Sequence, residues 1–115
     1  MRKEKPLFSI ADYKGRIVKL IKGVWTHKII KYHPEVALGL EEVKKAIADP
    51  LVVVRSMAKE ESELFYIDIQ DSLGKPYLLV VVDYKVPKSK EGIIVTTYRT
   101  NKIQKGEILW RRKGK

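Results

Sequence analysis

Residues 77–84 read Tyr77-Leu78-Leu79-Val80-Val81-Val82-Asp83-Tyr84. A nearly continuous apolar run of this length, rich in β-branched residues, predicts a central strand buried on both faces. Working away from it, residues 71–76 carry Ser72, Gly74 and Pro76, a hairpin turn signal. Before that turn, residues 64–70 (LFYIDIQ) place Phe65, Ile67 and Ile69 on one face of a neighbouring strand. Residues 51–55 form a further β-branched run. After the central strand, residues 85–92 are a charged loop containing Pro87. Residues 93–100 (IIVTTYRT) predict a last strand. Strict alternation puts Ile94, Thr96, Tyr98 and Thr100 on one face, and Ile93, Val95, Thr97 and Arg99 on the other. Residues 101–110 read as a turn or short helix.

The first half has a different period. Residues 16–21 (RIVKLI) predict a short strand. A helix follows over residues 24–33, stopped by Pro34, which disfavours helical geometry in the residue before it. At 100° per residue, Trp25, Ile29 and Tyr32 share a stripe flanked by Ile30 and His33. His27, Lys28 and Lys31 lie on the other side. A second helix is expected over residues 40–48, with Glu41 and Glu42 at its positive end and Asp49-Pro50 after it. Helices segregated from a run of antiparallel strands predict a two-layered α+β domain. The expected organisation is a basic arm over 1–15, a domain over 16–110 and a basic tail over 111–115.

Composition narrows the function classes. The 115 residues include 24 Lys plus Arg against 14 Asp plus Glu, a net charge of +10, and no cysteine. Disulfides and cysteine-based zinc sites are excluded. No apolar run approaches the roughly 18 residues of a membrane span. The charged start lacks an apolar signal core, so a cytoplasmic protein is expected, with no membrane partner. Residues 1–31 carry nine basic and two acidic side chains, residues 32–98 eight and eleven, and residues 99–115 seven and one. The positive excess sits at both ends. If the fold brings those ends together, they form one electrostatic footprint for a polyanion. A lysine-rich surface adapted to heat, poor in Asn and Gln, explains the same composition without a ligand.

Only a few residues offer chemistry. The two histidines, His27 and His33, lie on the first helix, about 120° apart, with no convincing third ligand, so no metal site and no cofactor is expected. His33 reads as a packed structural residue. His27, one turn from Lys31, is a candidate for acid–base work, for which imidazole side chains are suited, or is a plain surface histidine. Thr96, Tyr98 and Thr100 form a row of hydroxyls beside Arg99 and Lys102; such residues also simply line half-exposed strands. Arg111 and Arg112 in the tail could grip phosphates. No phosphate-binding glycine loop, nucleophile elbow or zinc-protease motif is present.

The order of motifs supports a resemblance. Trp25-Thr26-His27-Lys28-Ile29-Ile30-Lys31-Tyr32-His33-Pro34-Glu35 resembles a W-x-H-I-x-x-x-H-P-E pattern, with Lys28 standing where the pattern has Ile. Asp49-Pro50, then Val80-Val81-Val82, then Ile94-Val95-Thr96-Thr97-Tyr98-Arg99-Thr100 follow, the last similar to V-I-T-A-Y-x-T. Over residues 17–110 the chain resembles phage-associated members of the barnase–EndoU–colicin–RelE nuclease superfamily. The resemblance implies a RelE/barnase-like α+β fold, two N-terminal helices packed on a four-stranded antiparallel sheet. It implies metal-independent RNA cleavage by a toxin-like or phage-linked effector. It makes His27 the helix histidine, and Thr96 and Tyr98 the strand hydroxyls; His33 matches the His-Pro position without an assigned role.

The expected activity is therefore a metal-independent endoribonuclease. His27, Thr96 and Tyr98 would be catalytic, and Lys28, Lys31, Arg99, Lys102, Arg111 and Arg112 would hold RNA, with tRNA or ribosome-bound mRNA as target classes. An acidic antitoxin or inhibitor is the expected protein partner. A non-catalytic nucleic-acid-binding module explains the charge equally and needs no histidine. A protein-interaction domain is the third class.

Overall fold

The computed structural model describes residues 6–33, 39–69, 74–84 and 91–113. Pro34 and Glu35 of the histidine motif, residues 71–73 of the expected turn, most of the 85–92 loop and both chain ends lie outside the described residues.

The described residues form one seven-stranded sheet in the order β1-β2-β6-β5-β4-β3-β7. The strands are β1 (Pro6–Ala11), β2 (Ile17–Ile21), β3 (Val52–Arg55), β4 (Ser62–Asp68), β5 (Tyr77–Asp83), β6 (Glu91–Thr100) and β7 (Ile108–Arg111). All pairs are antiparallel except β2–β6, a parallel contact joining Ile17, Val18 and Lys19 to Glu91, Gly92 and Ile93. The run Leu78–Val82 lies in β5, mid-sheet, between β4 and β6. Four of its five residues are buried, as an apolar strand covered on both faces requires.

This arrangement corrects the expected two helices on a four-stranded antiparallel sheet. Two strands were not expected, β1 in the presumed arm and β7 in the presumed turn or helix, and the expected strand β2 pairs in parallel. Parallel pairing needs a long crossover. Everything between β2 and β6 serves as that crossover, including both helices and three strands. No short-range sequence signal marks it.

The first helical stretch runs as α-helical Lys22–Val24, π-helical Trp25–Ile29 and α-helical Ile30–Tyr32. The Ile30 N–H donates to the Trp25 carbonyl, five residues back. One extra residue in a turn rotates everything after it by about 100° relative to an ideal helix. Tyr32, expected on the apolar stripe, is accordingly exposed, while Ile29 is buried and Ile30 and His33 are half-buried. The second helix spans Leu40–Ala48 and buries Val43, Ala46 and Ile47. Among the described residues no helix is long and apolar enough to cross a membrane.

Both helices pack on one face of the sheet. Ile29, Val43 and Ile47 join Val53, Phe65, Leu78, Val80 and Ile94 in the main core. The alternate residues Val52, Val54, Leu64, Tyr66 and Leu79 form a second cluster on the opposite face. Among the described residues no helix covers that face. Residues 101–107, the connection from β6 to β7, strap across it instead: Ile103 packs on the cluster, and the Gln104 N–H donates to the Tyr66 hydroxyl at 3.0 Å. Strap and sheet meet closely at Gly106, where an added Cβ would lie 2.6 Å from the Arg55 carbonyl oxygen and 2.7 Å from a Val54 methyl. Gly106→Ala should therefore push the strap outward and lower stability by about 1–3 kcal/mol, read as a lower urea midpoint at unchanged m-value.

Candidate functional site

β6 carries the candidate hydroxyls. Its register to β5 shifts between Val81, which faces Thr96, and Val82, which faces Ile94. Val95 is the extra residue of a β-bulge. Strict alternation fails there: Ile94 is buried in the main core, on the helix face, while Thr96 and Tyr98 lie on the strap face with Val81 and Leu79. Thr97, on the helix face, is fully buried and donates to the Leu79 carbonyl at 2.6 Å. Arg99 pairs opposite Leu78 and so lies on the face away from Tyr98. Thr100 returns to the strap face and exchanges long contacts with the Lys102 backbone at 3.4–3.5 Å.

The first helix reaches this strand. Beyond Ile93, β6 leaves β2, and the π-helical segment packs against it. The ring of His33 lies 5.0 Å from the ring of Tyr98, tilted by 30°. The structure thus joins Tyr98 to His33. His27 is exposed, and among the described residues it makes no hydrogen bond, ion pair or ring contact. Lys28, Lys31 and Lys102 are exposed. The ideal wheel places His33 beside the apolar stripe, and His33 is half-buried, but the π-helical turn and the contact with Tyr98 have no signal in composition or periodicity.

Arg111 and Arg112 lie elsewhere. β7 is the sheet edge four strands from β6, about 19 Å away at the usual ~4.8 Å spacing. In the sheet order β1 and β7, the described strands nearest the two basic ends, are the opposite edges. Arg112 is tied to Asp49, 3.4 Å between Nε and the carboxylate.

A second polar constellation lies on the helix face. The Arg16 guanidinium donates from both terminal nitrogens to Glu63 at 2.9 and 3.0 Å, and from Nε to Asp12 at 2.8 Å. The Tyr84 hydroxyl donates to Asp12 at 2.7 Å, and Tyr13 donates to Glu63 at 2.8 Å. Arg16 also stacks on Tyr84, 3.8 Å from the ring centre. The adjoining cleft of about 730 Å³ is bordered by charges of both signs, including Lys14, Arg55, Glu61 and Glu107. Carboxylates on the wall repel a polyanion, and the side chains of the cluster donate and accept among themselves. We assign this cluster to the architecture. Among the described residues no group of three or more His, Cys, Asp or Glu could hold a metal ion.

No family model, no curated protein and no solved structure matches this chain.

The polar cluster makes a pH prediction. Burial, and then the hydrogen bonds to Asp12 and Glu63, push the Tyr84 and Tyr13 phenols well above their ordinary value of 10.0. Below pH 10 both phenols keep their protons in both states. Above it the unfolded chain releases them and the native chain holds them, so stability falls as pH rises. Tyr84 alone should contribute a loss of about 1.4 kcal/mol per pH unit above 10. Urea midpoints from pH 8 to 11 check this, with a shallower decline expected in Tyr84→Phe.

Proposed function

We propose that the chain is a metal-independent ribonuclease whose site lies where the end of the first helix meets β6. The observation that carries this is the His33–Tyr98 ring contact beside the Thr96 and Thr100 hydroxyls. Metal-free RNA cleavage needs a base for the 2′-hydroxyl, an acid for the leaving 5′-oxygen, and cations or hydrogen-bond donors at the phosphate. Here His33 takes the proton, Tyr98 supplies one, and Thr96 and Thr100 position the phosphate. Lys28, Lys31 and Lys102 provide positive charge nearby. His27 contributes to RNA attraction only. The expected compartment is the cytoplasm, and an acidic inhibitor remains the expected protein partner. The motif resemblance supports the reaction class; the sheet gives it no further support, since the expected fold is corrected.

A second reading is favoured by Lys102, Lys105 and Arg111, which enter no ion pair among the described residues. Free cations with a hydroxyl row suffice for a nucleic-acid-binding module that cleaves nothing.

Cleavage of a mixed-sequence RNA in EDTA separates the two. Wild type should cleave, His33→Ala should be slower by about 10²–10⁴-fold, and His27→Ala should stay within a few-fold. Tyr98→Phe should bind RNA normally and cleave poorly. Equal rates for wild type and His33→Ala would remove His33 from the chemistry. Salt-dependent binding with no cleavage by wild type would favour the binding module.

A further inference from the structure

A groove of about 640 Å³ opens on the strap face, between residues 103–106 of the strap and the β3–β7 edge. Its volume is in the usual range of small-molecule sites, about 300–1,000 Å³. Val52 and Val54 form the floor, and Ile103 and Ile108 the walls. The half-exposed Ile108, at 50% exposure, leaves an apolar wall open to a ligand. The rim is different in kind. Lys105, Arg111, Arg112 and Gln104 border it, and among the described residues lining it there is no carboxylate. Arg112 is partly neutralised by Asp49, but Lys105 and Arg111 have no ion-pair partner among the described residues.

An aliphatic slot edged by free cations selects a ligand with an apolar body and an anionic end. The chemistry fits a nucleotide. A base has two apolar faces for the aliphatic walls, and polar edge groups suited to a rim that includes Gln104. Its phosphate suits Arg111, whose fork matches phosphate oxygens, and Lys105 as a point charge. We propose that this groove is a nucleotide-binding subsite, with the base between Ile103, Ile108 and the valine floor and the phosphate on Lys105 and Arg111. Its β3–β7 edge lies three and four strands from β6 in the sheet order, and it uses neither His33 nor Tyr98. In an RNA-bound protein it would hold one nucleotide of the strand away from the bond at Tyr98. The subsite does not depend on cleavage taking place.

Calorimetric titration of the full chain with adenosine 5′-monophosphate, adenosine, inorganic phosphate and decanoate tests this. The monophosphate should bind at least tenfold more tightly than adenosine or phosphate alone. Lys105→Glu and Arg111→Glu should each weaken it at least tenfold, while leaving adenosine within about twofold. Ile108→Trp, a change at a half-exposed edge position, should fill the slot and abolish binding while leaving the circular-dichroism spectrum unchanged. The His33→Ala chain should bind like wild type, so failure of the cleavage reading and failure of this one are seen separately. The proposal is overturned if the monophosphate does not bind. It is also overturned if phosphate alone binds as tightly, if decanoate binds as tightly, or if Ile108→Trp binds unchanged.

Discussion

The Arg16 guanidinium holds together parts of the chain that the sheet alone joins weakly. Its terminal nitrogens grip Glu63 on β4, its Nε grips Asp12 across the first turn, and its plane lies on Tyr84 after β5. Among the described residues, backbone pairing attaches the β1–β2 hairpin to the rest of the sheet through three residue pairs of β2 with β6. With no cysteine to staple the hairpin, side chains must do it. Tyr13, in the same turn, extends the attachment by stacking near Phe65 and Trp110 at 5.8–5.9 Å. A strand at each edge of the sheet, β1 by its turn and β7 by its Trp, is thereby drawn to the helix face. The arginine side chain is 15% exposed and both carboxylates are nearly buried, so each charge depends on the others for solvation. Removing one partner of such a buried set typically costs about 3–5 kcal/mol, because the remaining charge is stranded.

That clamp also sets where function can be. It closes the helix face near β4 with a mixed-sign cluster, leaving the strap face as the side that presents hydroxyls, free cations and an apolar groove. That face carries Tyr98, in contact with His33, and the groove between the strap and the β3–β7 edge.

Local patterns were legible in the sequence. The apolar run at residues 78–82, the helix over 40–48 and the approximate extents of β2, β4 and β6 follow from periodicity and turn residues. Two irregularities were not. The bulge at Val95 breaks the two-residue period, so Ile94 and Thr96 face opposite ways although alternation groups them. The π-helical turn at Trp25–Ile29 breaks the helical period, so Tyr32 is exposed and His33 turns to Tyr98. In both cases one added residue changes the face of everything beyond it, and long-range packing, not local propensity, stabilises the insertion.

The same two insertions decide the candidate site. Without the π-helical residue, His33 would be turned about 100° away from its present direction. Without the bulge, Ile94 and Tyr98 could not serve opposite faces of one strand, and either the core would lose a buried isoleucine or the strap face would lose its hydroxyl row. The hydroxyls and the imidazole are therefore brought together by two departures from regular geometry on neighbouring elements. Each carries a local cost in lost hydrogen-bond regularity, offset here by the buried Ile29 and Ile94 on the helix face. A site built this way is legible only from the packed structure, because its two registers are set by what the opposite face must bury.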